Sequence, residues 1–182
     1  MIRWLMWLLG GIVLGGMVHL VTVLALPATA TRDAYSRLAP LTPVNTVVPL
    51  PEPVPANALL PFTDPAFATA VCRYDLTAAP LKLTAPVSQA YTAVSFYTRK
   101  GIAYYAINDR AAGRRVIELD LMTPAQHADI PEEEDVTAAD RLIVESPTPT
   151  GLILLKALAP EPGQMASARR ALAAARCRSQ PQ

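Results

Sequence analysis

The stretch AYYAINDRAAGRRVIELDLM, residues 103–122, is the part of the chain that most resembles a catalytic cluster, because it holds an Asn, two Asps, a Glu and three Args. If it is a β-strand, Glu118 and Asp120 point to one face and lie about 7 Å apart, which suits a pair of hydrolytic carboxylates. Alternating charges are, however, normal on the solvent face of an antiparallel sheet. Residues 108–113 are rich in turn formers. We therefore interpret the stretch as a turn with charged flanks.

Other candidates for catalysis lack the partners that their chemistry needs. Nucleophilic catalysis requires a base beside a nucleophile, and His127, the one histidine beyond the N-terminal segment, falls on a short polar helix where we expect it to be solvated. No Walker A, GxGxxG, HExxH or GxSxG motif occurs. The acidic run 132–135 lacks the alternating spacing of a calcium loop. The sequence predicts no catalytic, cofactor-binding or metal-binding residues.

Three tyrosines are the remaining indication of a binding surface. Tyr97, Tyr104 and Tyr105 fall in two predicted strands, in which alternate residues face the core and the solvent. A tyrosine on the solvent face offers an apolar ring with a polar hydroxyl, a combination that is frequent at interfaces. We take these three as a candidate binding surface, with core packing as the alternative.

The N-terminal segment predicts a membrane-spanning helix. Residues 4–26 read WLMWLLGGIVLGGMVHLVTVLAL, with His19 as the only ionisable side chain. Twenty-three helical residues span roughly 34 Å, enough to cross a hydrocarbon core of about 30 Å. Residues 1–27 are therefore assigned to an anchor. A cleaved signal peptide is the alternative, because Ala28-Thr29-Ala30 has the A-x-A form, and both alternatives export the rest of the chain.

Small residues within this segment predict a packing face. Gly11, Gly15, His19 and Thr22 fall on one side of a helix. Such a stripe lets a second helix approach closely, and His19 and Thr22 can hydrogen-bond across the contact. The bilayer and a membrane-protein partner or a second copy of the chain are the expected partners. The alternative is that glycine is simply frequent in membrane helices.

Residues 28–65 predict a proline-rich stalk. Eight prolines lie between residues 38 and 65. Each fixes φ and removes a backbone donor, so helices and central strands are disfavoured. Polyproline-II structure makes such a segment a semi-rigid spacer. The interspersed valines and leucines also allow it to lie along the folded domain as a strap.

Residues 66–177 predict one β-rich domain of class α+β, with residues 178–182 as a tail. Strand patterns occur at 68–76, 90–99, 102–109, 114–122, 141–146 and 151–159. The strands from residue 90 to 122 are expected to form an antiparallel meander. Thr123, Pro124 and Gln126 predict a capped short helix. An Ala-rich helix is expected over 164–176.

The two cysteines predict a disulfide. Cys72 lies in the first predicted strand and Cys177 follows the Ala-rich helix. An exported chain enters an oxidising compartment, where two thiols can pair. A pair of buried, reduced thiols is the alternative.

The exported sequence resembles a known family. The segments DPAFATAVCRYDL and AYTAVSFYTRKGIAYYAINDRAAG, followed by a terminal Cys after an Ala-rich helix, are similar to domain of unknown function 1254, in its form as small membrane proteins of alphaproteobacteria. The resemblance implies an inner-membrane protein with a periplasmic β-rich domain, and with one membrane span we expect the N-terminus in the cytoplasm. It implies no activity and no catalytic residue.

Together these patterns favour a membrane-anchored accessory or partner-binding protein without catalysis. A periplasmic small-molecule or glycan-binding module is the alternative, and an enzyme comes third. The formal net charge of +1 gives no field that would attract nucleic acid.

Overall fold

The structure, a computed structural model, describes residues 1–29, 33–52, 63–113, 115–130 and 142–180. The chain forms two separately packed units, Met1–Asp33 and Ala34–Gln182. The acidic run 132–135 and part of the expected stalk, residues 53–62, lie outside the described residues.

The first unit is a single apolar helix, α1, Ile2–Thr29. Its stretch Ile2–Leu26 has 25 residues and contains an 18-residue window with a mean hydropathy of 2.1, none of which is buried against other parts of the chain. By length and composition this helix can cross a membrane, and a signal sequence meets the same criterion.

The second unit is built mainly from strands, as the sequence predicts. The strands are β1 Val47–Pro49, β2 Phe67–Asp75, β3 Leu81–Pro86, β4 Thr92–Thr98, β5 Ala103–Asn108, β6 Val116–Met122, β7 Leu142–Glu145, β8 Thr150–Leu158 and β9 Arg176–Ser179. The helices are α2 Ala34–Leu38, α3 Asp109–Ala112, α4 Pro124–Ala128 and α5 Met165–Ala173. The β-dominated fold class with a C-terminal helix is confirmed.

Two sheets divide these strands. The first has the order β1-β2-β8-β4-β5, with antiparallel neighbours throughout. The second has the order β7-β6-β3-β9, in which only β6 and β7 run parallel. Both sheets contribute to one hydrophobic core, which α5 covers with Ala168 and Leu172.

A disulfide joins the two sheets through this core. Cys72 of β2 and Cys177 of β9 are bonded, with their Cα atoms 6.6 Å apart. Their sequence separation is 105 residues. A cross-link over a loop of this length stabilises the fold by about 4–5 kcal/mol when only the entropy of the unfolded chain is considered.

The outer face of the first sheet is covered by the segment that leads into the domain. Leu38 at the end of α2 is 1% exposed and packs against Val71 and Leu152. Residues 47–49 then add an edge strand to β2, where the proline at position 49 is tolerated. The described part of the proline-rich segment therefore lies on the domain as a strap.

Three local features differ from the expectation. The third strand of the expected meander, β6, leaves β4 and β5 and joins the second sheet. Residues 109–112 form one helical turn instead of a plain turn. Asp120, expected on the solvent face with Glu118, is only 3% exposed, and Gln180, which follows β9, donates a side-chain hydrogen bond to it.

Candidate functional site

A cleft of about 770 Å³ opens where β5 and β6 part. The separation begins at Asn108, whose side-chain oxygen accepts a hydrogen bond from Ala111 N at 2.8 Å and starts α3. Gly113 ends this turn with a φ of 61°, a left-handed conformation that favours glycine. The inserted turn sends β5 and β6 into different sheets. The cleft is lined by residues 105–107, 111–112 and 115–120, with Lys82 and Leu142.

One wall of the cleft is the edge of the first sheet. Within the described residues, β5 pairs with β4 on one side and with no strand on the other. Its side chains Ala103 and Ala106 are exposed, and Ala106 lines the cleft whereas Ala103 does not. An unpaired edge presents a row of backbone donors and acceptors. This wall can therefore accept hydrogen bonds from, and donate them to, an extended chain.

The opposite wall carries charge of both signs. Lys82 Nζ lies 2.5 Å from Glu118 Oε1, and both side chains are about half exposed. An ion pair this exposed contributes little to stability, about 0–1 kcal/mol. Asp120 is held by the side-chain amide of Gln180, which donates at 2.7 Å. With Arg115, the cleft has two basic and two acidic side chains, so it presents no strong net field.

The three candidate tyrosines occupy three different places. Tyr105 lines the cleft. Tyr97 packs on the outer face of the first sheet beside the strap. Tyr104 turns towards the interior, where its hydroxyl donates to Tyr74 Oη at 3.1 Å. The structure thus does not bring them together in one surface, and each is partly buried.

Tyr104 belongs to a network of buried hydroxyls. Tyr74 Oη lies 2.9 Å from Ser146 Oγ, and the Ser146 hydroxyl donates to the Thr148 carbonyl at 2.7 Å. Burial raises the pKa of Tyr104 far above its usual value. A hydrogen bond with Ser146 lowers this pKa, and the neighbouring Tyr74 raises it further. A phenol that stays protonated acts here as a structural hydrogen-bond donor.

His127 has a carboxylate partner. Its Nδ1 lies 2.6 Å from Glu145 Oε1, and the imidazole is 37% exposed. The helix that carries it begins with the predicted capping box, in which Thr123 and Gln126 bond each other's backbone N–H groups. Across the described ranges Glu145 is the only hydrogen-bond partner of the imidazole, and no group of three His, Cys, Asp or Glu side chains is placed to hold a metal ion.

The predicted packing face lies exposed along α1. Gly11 and Gly15 have open space where a Cβ would stand, and His19 is exposed. Thr22 donates its hydroxyl proton to the Val18 carbonyl at 2.8 Å. Across a contact between helices, Thr22 in this conformation can therefore act only as an acceptor.

Sequence reasoning missed the cleft, although one signal for it was present. The segment LKLTAP, residues 81–86, alternates apolar and polar residues and forms β3, which brings Lys82 beside Glu118. The parting of β5 and β6 depends on strand pairing over long sequence separations, which local patterns do not reveal.

These features define a class of protein: a small, disulfide-linked module of two sheets that follows an apolar N-terminal helix. The chain belongs to the family described as protein of unknown function (DUF1254), whose model matches residues 44–179. No curated protein gives a significant match to the chain.

Two solved structures share the fold. The VPA0106 protein of Vibrio parahaemolyticus is 12% identical with a TM-score of 0.57, and the match covers 80% of this chain and 34% of that one. An uncharacterised protein of Burkholderia cenocepacia is 13% identical with a TM-score of 0.51, and the match covers 80% of this chain and 36% of that chain. The matched part thus spans about a third of either solved chain.

Proposed function

We propose that this protein is a membrane-anchored accessory module of the bacterial periplasm that binds an extended segment of a partner protein along β5. The observation that carries the proposal is the edge of β5, which has no second neighbouring strand among the described residues, beside an open cleft. A segment added to a sheet edge gains backbone hydrogen bonds, and its alternate side chains enter an adjacent groove. The near-neutral cleft suits an uncharged or mixed-charge segment.

The helix and the disulfide support the compartment. The apolar helix Ile2–Leu26 supplies either an anchor or an export signal. The Cys72–Cys177 bond fits an oxidising compartment. We place the N-terminus in the cytoplasm and the domain in the periplasm.

The solved relatives support a role in an assembly. In both of them the matched domain is accompanied by about twice its own length of further polypeptide. In those relatives the domain therefore occurs together with other polypeptide, which is consistent with a domain that associates with protein segments.

Two single substitutions on the same strand test the proposal. Ala106→Arg adds a long charged side chain at a residue of β5 that lines the cleft, whereas Ala103→Arg makes the same change at an exposed position of β5 that does not line it. The measurement is a crosslinked pull-down of the full chain from native membranes. We expect one stoichiometric partner with wild type and Ala103→Arg, and its loss with Ala106→Arg. Equal recovery from both variants, or no partner from wild type, would contradict the proposal.

A second candidate function is the binding of a small molecule or glycan in the same cleft. Its volume lies within the range of ligand sites, and Tyr105 stands beside charged side chains that can bind hydroxyl groups. A screen of sugars and small metabolites by thermal shift separates the two functions. A ligand whose stabilisation disappears in Tyr105→Ala but persists in Tyr97→Ala would favour this second function.

A further inference from the structure

We propose that the tip of the β4–β5 hairpin, residues 99–102, rests on the phosphate headgroups of an anionic lipid bilayer. The proposal depends on the membrane anchorage proposed above, and adds to it a second contact made by the folded domain itself.

The connection between α1 and α2 is short. Residues 30–33 separate Thr29, at the end of α1, from Ala34, at the start of α2. Five peptide steps span at most about 18 Å when fully extended. From α2 onward the chain is fixed on the domain, since Leu38 and Thr42 are each 1% exposed. A retained anchor therefore allows no long stalk, and the start of α2 must stay near the membrane surface.

The start of α2 lies beside the β4–β5 hairpin. Two guanidinium groups lie near the ring of Tyr35, with Arg73 Cζ 5.3 Å and Arg99 Cζ 5.1 Å from its centroid. Arg99 begins the turn between β4 and β5. The hairpin tip is therefore the part of the domain beside the point at which the chain arrives from α1.

The tip of the hairpin is basic and carries one exposed aliphatic side chain. Arg99, Lys100 and Ile102 are exposed, with Ile102 at 63%. Gly101 adopts a φ of 79° and lets the turn close, with its N–H donating to the Thr98 carbonyl. No Asp or Glu occurs in the sequence from residue 76 to 108, and Asp33 stands two residues before Tyr35. Arg99 and Lys100 can bind lipid phosphates, and Ile102 can enter the apolar layer beneath them. The tip is therefore complementary to the interface of an anionic bilayer.

The energetics of such a layer favour contact. Each Lys or Arg near an anionic surface raises the ratio of membrane-bound to free hairpin about fivefold. A side chain such as Ile102, exposed to water in the free domain, is removed from water at the interface. Because the tether keeps the tip close to the surface, the contact has a high effective concentration.

Fluorescence quenching of the full chain in vesicles tests the contact. Trp4 and Trp7 are replaced by Phe, and a single tryptophan is introduced by Ile102→Trp or, as a matched control, by Ala173→Trp. Ala173 is exposed on α5 and lines a groove with Ala68 and Thr69. These two residues lie near the start of β2, whereas Arg73, which is close to the hairpin tip, lies near its end. The vesicles contain phosphatidylcholine with or without phosphatidylglycerol, and nitroxide lipids or acrylamide supply the quencher.

We expect Ile102→Trp to be quenched by headgroup nitroxides and protected from acrylamide in vesicles with phosphatidylglycerol, and Ala173→Trp to show the reverse. Adding Lys100→Gln should lower the ratio of bound to free hairpin about fivefold. Wild-type hydrogen exchange supplies a check without substitutions, because the amides of residues 98–103 should exchange more slowly when phosphatidylglycerol is present.

Two different failures can be told apart. If an alkaline carbonate wash releases the chain, the anchorage fails and this inference fails with it. If the chain is retained but the tryptophan of Ile102→Trp is quenched by acrylamide and not by lipid, the hairpin contact alone is wrong. Protection from both quenchers would indicate a protein contact and would equally overturn the lipid contact.

Discussion

Gly151 occupies a position in β8 where a side chain has no room. A Cβ added there would lie 2.2 Å from the Tyr97 carbonyl oxygen and 2.4 Å from the Tyr74 hydroxyl oxygen. We predict that Gly151→Ala lowers the free energy of unfolding by about 1–3 kcal/mol, because backbone and a buried ring must both move. Urea unfolding of the chain in detergent measures this. Gly163→Ala is the control, since nothing lies within 4 Å of a Cβ there, and an equal loss in both variants would contradict the argument.

Tyr104 gives the domain a dependence on alkaline pH. Its folded-state pKa is raised, chiefly by burial, above the unfolded value of about 10. Between these two pKa values the folded state holds a proton that the unfolded state has lost, so stability is full below about pH 10 and falls above it. The slope approaches about 1.4 kcal/mol per pH unit.

Unfolding measured on either side of pH 10 tests this role of Tyr104. Tyr104→Phe should remove the additional slope, and Tyr97→Phe, outside the buried network, should retain it. An identical slope in wild type and Tyr104→Phe would show that the Tyr104 hydroxyl is not the group responsible.

At the scale of elements, Leu38 is the buried leucine through which the strap packs on the domain. Leu38 is 1% exposed against Val71 and Leu152, whereas Leu41, three residues later, is 47% exposed. We predict that Leu38→Ala costs about 2–5 kcal/mol of unfolding free energy and that Leu41→Ala costs little. Limited proteolysis within residues 34–50 should accelerate only in the first variant. Equal stability of the two variants would mean that the strap is not part of the cooperative fold.

The elements also show which parts of the fold the sequence can predict. Hairpin β4–β5 and the capping box at Thr123 depend on local patterns, and both were predicted. Strands β3 and β9 were missed: β3 carries an alternating pattern, but both strands take their partners from distant parts of the sequence, and β9 has only four residues. Asp120 was placed on the solvent face for the same reason, since Gln180, which donates a hydrogen bond to it, is distant in the sequence. The cleft depends on these long-range pairings and was missed with them.

At the scale of the whole molecule, the proposed function combines α1 as an anchor with β5 as a binding edge. With α1 as the proposed anchor, the domain shares a membrane with partners that are themselves membrane proteins. The expected packing face of α1 and the edge of β5 would then act on one partner or on a second copy of the chain. Association through α1 is therefore a separate prediction, which can be tested independently of the edge of β5.

The glycines of α1 allow that association to be tested with a matched control. At 100° per residue, Gly11 and Gly15 lie 40° apart, whereas Gly10 and Gly16 lie about 100° and 140° from Gly11. We predict that Gly11→Leu with Gly15→Leu abolishes self-association or partner capture, because two helices can no longer approach closely. The double change at Gly10 and Gly16 keeps the same composition and should leave association intact. Energy transfer between labelled chains in vesicles measures self-association, and crosslinking in native membranes measures capture. An equal loss from both double variants would trace the effect to altered insertion, and no loss from either would remove α1 from the interface.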